Sequence, residues 1–277
     1  MTTRKISLRT AGHRGGPITR LMSPGDIGEL LKPFVFLDYF EFPAGVKAGL
    51  PVHPHSGLAT HTTLLQGSVD YADSTGKEGI LTPHSIEWMQ AGNGVWHGGG
   101  PAGGDALRGF QLWIALPPHL ELADAFSDYV VGDAVPRDGD VRLLLGSHGS
   151  LTSTIAYREP VTYLHVRLAD KQRWTYVPPP THDVAWLAVA TGALLVDGVT
   201  VQRELAVFEE GSAPIEMTAH GDVELVIGSA AKHPHPLITG MYSVHTTEAA
   251  LEQGEGGYAA IARTMALVPG KPIDIRR

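Results

Sequence analysis

Short runs of apolar or alternating residues, separated by turn-forming clusters, recur along the chain and constrain its fold more than any other feature. Their spacing is typical of strands joined by tight turns in an all-β sandwich or barrel. The predicted strands cover 5–10, 34–40, 61–65, 68–72, 86–90 and 110–116 in the first half, and 141–145, 161–168, 185–190, 192–196, 205–208 and 223–227 in the second. The two series resemble copies of one β-unit, which predicts an all-β chain with few short helices.

A polar stretch rich in Asp, Pro and Gly interrupts this rhythm at Gly132 to Asp140. We expect it to separate an N-terminal domain, 1–133, from a C-terminal domain, 141–235. An extension over 236–277 would follow and pack back on both domains. Two segments have helical patterns. In Leu120 to Val130 the apolar residues share one face, and Thr247 to Ala262 opens with Thr and Glu, a helix-start signal.

Composition narrows the functional classes. The net charge of −8 lacks the basic surface that direct nucleic-acid binding requires. With no cysteine in the chain, any metal ligand must be His, Asp or Glu. The N-terminus has no apolar signal-peptide core, and no apolar run reaches the length of a membrane span. These features predict a cytoplasmic protein without a membrane partner.

Three histidines in the first half carry the strongest chemical pattern. His53 and His55 flank a proline, and a strand would place them on one side with their Cα atoms about 6.5 to 7 Å apart. Two such imidazoles can reach one ion at about 2.0 to 2.2 Å. His97, brought in by a later hairpin, would complete a three-nitrogen set suited to several first-row metals.

The surrounding sequence resembles the pirin family of the cupin superfamily. The segments that carry the resemblance are Pro51 to Gly57, Leu64 to Val69, Asp73 to Gly76, Glu87 to His97 and Gly109 to Pro117. The resemblance implies two cupin (jelly-roll) barrels, with one divalent transition metal in the first, held by His53, His55 and His97. Fe(II) is the first expectation for this metal, with Ni, Cu, Mn and Zn as alternatives. The second barrel would be metal-free.

The same resemblance implies an oxygen-dependent dioxygenase, similar to quercetin dioxygenase, that acts on a flavonol-like or other small aromatic substrate. One departure bears on this function. The family continues from the third histidine as His-x-Glu, but Gly99 occupies the Glu position here, and Ala59 occupies the position where other cupins carry their carboxylate. The alternative is therefore a non-catalytic sensor or regulatory protein that binds a metal, a small ligand or a protein partner.

Other residues could supply the missing ligand or form another site. His61 and Glu87 are alternative fourth ligands, and a water molecule is the simpler one. The His233-Pro234-His235 tripeptide and His182 have no partner histidine at the required spacing in the second half. The glycine-rich segment 98–104 is expected to form a mobile lip beside the metal. The aromatic residues Trp88, Trp96, Phe110 and Trp113 are expected in the barrel core.

Overall fold

The computed structural model describes residues 3–46 and 50–265, and these are organised almost entirely as antiparallel strands. The first half contains β1 (Ile6–Thr10), β2 (His13–Gly15), β3 (Ile18–Met22), α1 (Ile27–Leu31), β4 (Phe34–Phe42), β5 (Leu50–His55), β6 (Leu58–Gln66), β7 (Ser68–Asp73), β8 (Glu78–Leu81), β9 (Ile86–Gln90), β10 (Val95–Ala102), β11 (Leu107–Ala115) and β12 (Phe126–Val130). The second half contains a 3₁₀ turn (Gly132–Ala134), β13 (Arg137–Asp138), β14 (Val141–Leu145), β15 (Ser147–His148), β16 (Leu151–Thr152), β17 (Val161–Leu168), β18 (Arg173–Tyr176), β19 (Val184–Val196), β20 (Val199–Val201), β21 (Leu205–Phe208), β22 (Ile215–Ala230), β23 (Ile238–Thr239), β24 (Val244–His245) and α2 (Glu248–Thr264).

The first half forms a barrel from two facing sheets. Seven strands follow the order β12-β9-β6-β11-β4-β3-β2, and four follow β5-β10-β7-β8. Apolar side chains from both sheets meet between them, including Leu64 on β6, Leu81 on β8 and Leu107 on β11. Burial of this apolar surface holds the sheets together and leaves their polar edges at the rim.

The second half is built on one nine-stranded sheet that curls around its own apolar core. Two predicted strands, 185–190 and 192–196, are one continuous strand, β19, whose pairing with β22 shifts register near Gly192. Gly192 has φ +78°, which suits glycine at such a bulge. The prediction of an all-β chain with few helices is confirmed.

The two halves share a continuous core. Phe34 and Trp88 from the first half lie in the same buried cluster as Tyr163 and Trp186 from the second. The ring of Phe34 meets the ring of Trp186 edge to face, with centroids 5.4 Å apart. Such aromatic pairs add to the stabilisation from area burial. The halves are therefore packed against each other through their apolar sheet faces.

Strand pairing also crosses the expected domain boundary. Strand β1 pairs with β21, with Ile6 opposite Phe208, so a segment of the predicted N-terminal domain lies in the sheet of the second half. The division into 1–133, 141–235 and 236–277 remains a prediction. Its positions 1–2, 47–49 and 266–277 lie outside the described residues.

One predicted helix is present and the other is not. Helix α2 begins after Thr247, whose hydroxyl accepts a hydrogen bond from the Ala250 amide at 3.1 Å, as an N-cap does. The predicted helix over 120–130 is wrong, because Phe126–Val130 forms β12 and pairs with β9. Its aromatic and β-branched residues favour a strand, and the edge of β9 offers unpaired backbone groups that a helix would leave unsatisfied.

The glycine-rich segment also differs from expectation. Residues up to Ala102 belong to β10, and Gly98, Gly99 and Gly100 pair with consecutive residues of β7. The prediction of a lip over 98–104 is therefore wrong for this part, which is a sheet strand. Among the residues described, no helix combines the length and the apolarity needed to cross a lipid bilayer.

Candidate metal centre

Two paired strands bring the three predicted histidines together. Strands β5 and β10 are antiparallel, with His53 directly opposite His97. His55 lies two residues further along β5 and therefore projects from the same face as His53. Sequence spacing predicted that His53 and His55 share a face, and the register of the β5–β10 pair places His97 opposite His53.

The imidazole rings converge to distances that suit one ion. The Nε2 atoms of His53 and His97 are 3.2 Å apart, and one nitrogen of each of the three residues lies within 4.8 Å of the others. His55 Nε2 is buried and has no hydrogen-bond partner among the residues that the structure describes. Ligand nitrogens about 2.0 to 2.2 Å from a metal lie at comparable mutual distances. This donor set fits a divalent transition metal.

Each imidazole is oriented by a hydrogen bond at its other nitrogen. The Nδ1 atom of His53 lies 2.8 Å from the Pro51 carbonyl oxygen, and that of His55 lies 3.0 Å from the Tyr242 carbonyl oxygen. The Nδ1 atom of His97 lies 3.1 Å from Glu87 Oε1. Metal-ligating histidines characteristically donate their second N–H in this way. The three Nε2 atoms are thereby left free to bind an ion.

Burial keeps His53 and His55 neutral. It lowers the pKa of His53 to about 4, with the neighbouring His97 adding to the effect. Burial also lowers the pKa of His55 well below its usual value, again with contributions from the other two rings. Since only the neutral imidazole has a free lone pair for a metal, these shifts favour binding near neutral pH.

Gly99 leaves no space for the family's glutamate. A Cβ atom at this position would lie 2.1 Å from the Asp70 carbonyl oxygen of the paired strand β7. That atom is backbone, so it cannot rotate away as a side chain would. The carboxylate is thus absent, and the neighbouring strand occupies the room that its first carbon would need.

The two alternative ligands occupy different places. Glu87 faces the same cavity as the triad, but it accepts hydrogen bonds from His97 Nδ1 and from the Thr62 hydroxyl. Burial raises the pKa of Glu87, but these hydrogen bonds outweigh it and the net direction is downward. His61 points to the opposite side of β6, where its ring meets that of Tyr163 at 5.1 Å. Glu87 therefore orients a predicted ligand, and His61 packs between the two halves.

A Glu87→Gln variant tests the orienting carboxylate. The amide keeps an acceptor oxygen for His97 but loses the negative charge, so we expect metal affinity to fall about 10- to 100-fold. Titration with Ni(II) against a competing chelator measures the change. The matched control is Glu224→Gln, since Glu224 accepts from His165 Nε2 at 3.1 Å and does not line the cavity. An equal loss of Ni(II) affinity in both variants would show that the loss does not depend on the contact with His97.

The triad opens into a cavity of about 570 Å³ in the first barrel. Its walls are mainly apolar and aromatic, and they include Phe36, Phe40, Phe42, Val69, Tyr71, Leu81, Leu107 and Trp113. Trp113 stacks on Phe36 with ring centroids 4.0 Å apart and meets the edge of His55 at 4.8 Å. Of the predicted core aromatics, Trp88 and Phe110 are fully buried, whereas Trp113 lines this cavity.

Comparison with known proteins places the chain in a family. The family model described as Pirin matches residues 17–114. The chain is 31% identical over 238 residues to "Putative quercetin 2,3-dioxygenase PA3240" of Pseudomonas aeruginosa, an alignment covering 79% of this chain and 83% of that protein. The chain belongs to the pirin family. A pirin-like protein of Caulobacter vibrioides is 29% identical over 221 residues, which cover 74% of this chain and 76% of the relative.

Solved structures agree with the pirin architecture. A crystal structure of quercetin 2,3-dioxygenase from Acinetobacter baumannii superposes with a TM-score of 0.86 and 22% identity, covering 94% of this chain and 98% of that one. Bacterial pirin YhhW from Escherichia coli, in complex with nickel(II), gives a TM-score of 0.64 at 20% identity, covering 83% and 98%. At these identities the likeness establishes the shared bicupin fold.

Some site residues were not found by sequence reasoning. Thr62 and Gln111 line the cavity beside the triad, and the Thr62 hydroxyl lies 2.7 Å from the Gln111 amide oxygen. The Tyr242 carbonyl reaches His55 from 187 residues away. The alternation of β6 could have placed Thr62 on the other face of the strand from His61, but a backbone carbonyl leaves no signature in a sequence.

The second His-Pro-His tripeptide also brings its two rings together. The ring centroids of His233 and His235 lie 5.1 Å apart.

Proposed function

We propose that this pirin-family protein is a metal-dependent dioxygenase that acts on a flavonol-like or other small aromatic substrate. The single observation that carries the proposal is the convergence of His53, His55 and His97 on one wall of a largely apolar cavity. Apolar pockets with a few convergent polar groups are the usual form of small-molecule sites. A volume of about 570 Å³ accommodates a two- or three-ring aromatic molecule.

The three histidines would hold the ion and leave further coordination positions open. A bound transition metal supplies a Lewis acid that can polarise a substrate oxygen and take part in oxygen chemistry. We propose Fe(II) as the first metal to test. Ni(II) follows because the Escherichia coli pirin YhhW was solved in complex with nickel(II). Imidazole ligands bind several first-row ions, so the residues themselves do not select one.

The other cavity residues have separable roles in this proposal. Phe40, Leu81 and Leu107 would bind the aromatic rings and exclude water. Gln111, whose side-chain amide lies beside Thr62 on the cavity wall, would hydrogen-bond a substrate oxygen. Glu87 would orient His97 through its Nδ1 and leave Nε2 facing the site. The relatives that carry the name "Putative quercetin 2,3-dioxygenase" support this enzymatic interpretation over a non-catalytic sensor.

Oxygen consumption tests the proposal directly. Protein loaded in turn with Fe(II) and Ni(II) is supplied with flavonols and catechols under air, and substrate loss and oxygen uptake are recorded together. We expect turnover that His97→Ala reduces by at least about 10³-fold, because the ion and its positioning are lost. His119→Ala is the control, since His119 is exposed and pairs with Glu159 away from the cavity. Full occupancy by metal with no oxygen uptake on any of these substrates would contradict the proposal.

A further inference from the structure

The C-terminal segment 237–246 lies directly against the metal-binding strand β5. Ser243 and Ser56 form a parallel backbone bridge, and the Val244 amide donates to the Ser56 carbonyl at 3.2 Å. The Val244 side chain is buried with Val35 and Leu58 of the first barrel. Although it follows the second barrel in sequence, this segment is packed as part of the first.

The segment orients one of the three histidines. The hydrogen bond from His55 to the Tyr242 carbonyl is 3.0 Å long and directs Nε2 toward His53 and His97. The orienting groups of His53 and His97 come from the first half, whereas that of His55 comes from the end of the chain. The Tyr242 ring also lies beside the site, with its centroid 5.4 Å from that of His53.

A buried polar network fixes the segment in this position. Ser56 Oγ lies 3.0 Å from His245 Nε2 and 3.0 Å from Ser243 Oγ. His245 Nδ1 lies 3.2 Å from Glu121 Oε2. Glu121 also accepts hydrogen bonds from the amide and hydroxyl of Thr246, at 2.7 and 2.6 Å. Fully satisfied buried networks are rigid, so this one restrains the backbone at residues 243 and 245 and at their immediate neighbours.

The order Ser56, His245, Glu121 matches that of a hydrolase triad, but its surroundings do not. Ser56 is 0% exposed and His245 is 1% exposed, so no substrate reaches the hydroxyl. Glycines close the remaining space, since a Cβ atom at Gly57 or Gly254 would lie within 2.6 Å of His245 Nε2. A buried, fully bonded arrangement of this kind holds two segments together rather than attacking a substrate.

We propose that this network, which we name the Ser56–His245–Glu121 latch, positions His55 for metal binding by holding the Tyr242 carbonyl against its Nδ1. The inference rests on the proposed metal site. It assigns a function in that site to Glu121, Tyr242 and His245, which lie outside the part of the chain that the Pirin family model matches, 17–114. His245 is a positioning residue, since it acts on the ion only through His55.

The test compares His245→Phe with His182→Phe. Each removes a buried imidazole hydrogen-bonded to a serine, but the His182 partner is Ser229 in the second barrel. Glu121 keeps both bonds from Thr246 in the first variant, so its carboxylate is not left unpaired. Cu(II) affinity, the Cu(II) electron paramagnetic resonance spectrum, and the ¹⁵N signals of His55 in metal-free protein are measured for both. Circular dichroism confirms that each is folded.

We expect His245→Phe to weaken Cu(II) binding about 10-fold, to alter the spectrum, and to change His55 from one Nδ1–H tautomer to a mixture. His182→Phe should match the wild type in all three. Wild-type values in a folded His245→Phe protein would overturn the inference about the latch but leave the proposed function untouched. If the wild type binds no Cu(II), the proposed function fails, and the His55 tautomer in metal-free protein then decides whether the latch positions the ring. Ser56→Ala, which removes only a hydroxyl, replaces His245→Phe if that variant does not fold.

Discussion

Replacing His53 and His55 together with alanine should reduce bound metal from near one equivalent to less than about 0.1 equivalent. Two of three nitrogen donors disappear, and the remaining His97 cannot retain an ion that three imidazoles hold in common. Elemental analysis after dialysis against a weak chelator measures the loss. This is the largest effect that the proposed site predicts, because it removes binding rather than weakening it.

The chain offers a matched control for this experiment. His233 and His235 also flank a proline, and replacing both with alanine removes the same two side chains from an identical tripeptide. We expect that variant to retain the full metal content. Equal retention by both double variants would place the ion elsewhere in the chain, whereas equal loss would point to nonspecific binding or misfolding.

Restoring the family's glutamate with Gly99→Glu should destabilise the protein instead of improving the site. The new Cβ would lie 2.1 Å from the Asp70 carbonyl oxygen, so strands β7 and β10 would have to separate. Overpacking costs typically 1 to 3 kcal/mol, and a contact with backbone belongs at the upper end, so we expect a loss of about 3 kcal/mol in the free energy of unfolding. Chemical denaturation measures this change.

Gly104→Glu separates steric strain from the effect of added charge. Gly104 follows the same strand, and a Cβ atom there would meet no atom of the described residues within 4 Å. We expect this variant to unfold within about 0.5 kcal/mol of the wild type. A Gly99→Glu protein that is as stable as the wild type and binds metal more tightly would contradict this expectation. It would show that strands β7 and β10 can adjust around a side chain at 99, and that Gly99 only removes a ligand.

The site illustrates what strand alternation can predict and where it stops. The spacing of His53 and His55 predicted a shared face, and the position of His97 at the start of a later hairpin predicted the third nitrogen; all three converge in the structure. The same alternation did not decide between His61 and Glu87 as additional ligands. That choice depended on which face of its own strand each occupies, and the structure directs His61 to the second half and Glu87 to His97.

Local sequence was sufficient to predict an element whose stabilising contacts lie within that element. Helix α2 could be predicted because Thr247 caps it and its residues follow in one run. The glycines that weaken its intrinsic helicity allow close packing, since a Cβ atom at Gly257 would lie 1.8 Å from the Asn93 carbonyl oxygen. The segment 126–130 could not be predicted locally, because its strand conformation is imposed by pairing with β9.

The sequence by itself determined that this chain is an all-β protein of the pirin family with a three-histidine metal motif, because turns, alternation and short motifs are encoded within a few residues. The tertiary structure alone decided that Glu87 orients His97, that the Asp70 backbone fills the space beside Gly99, and that the Tyr242 carbonyl orients His55. These contacts join residues on different strands or at opposite ends of the chain. Two of them involve backbone oxygens, which every residue carries, so no residue type marks them in the sequence.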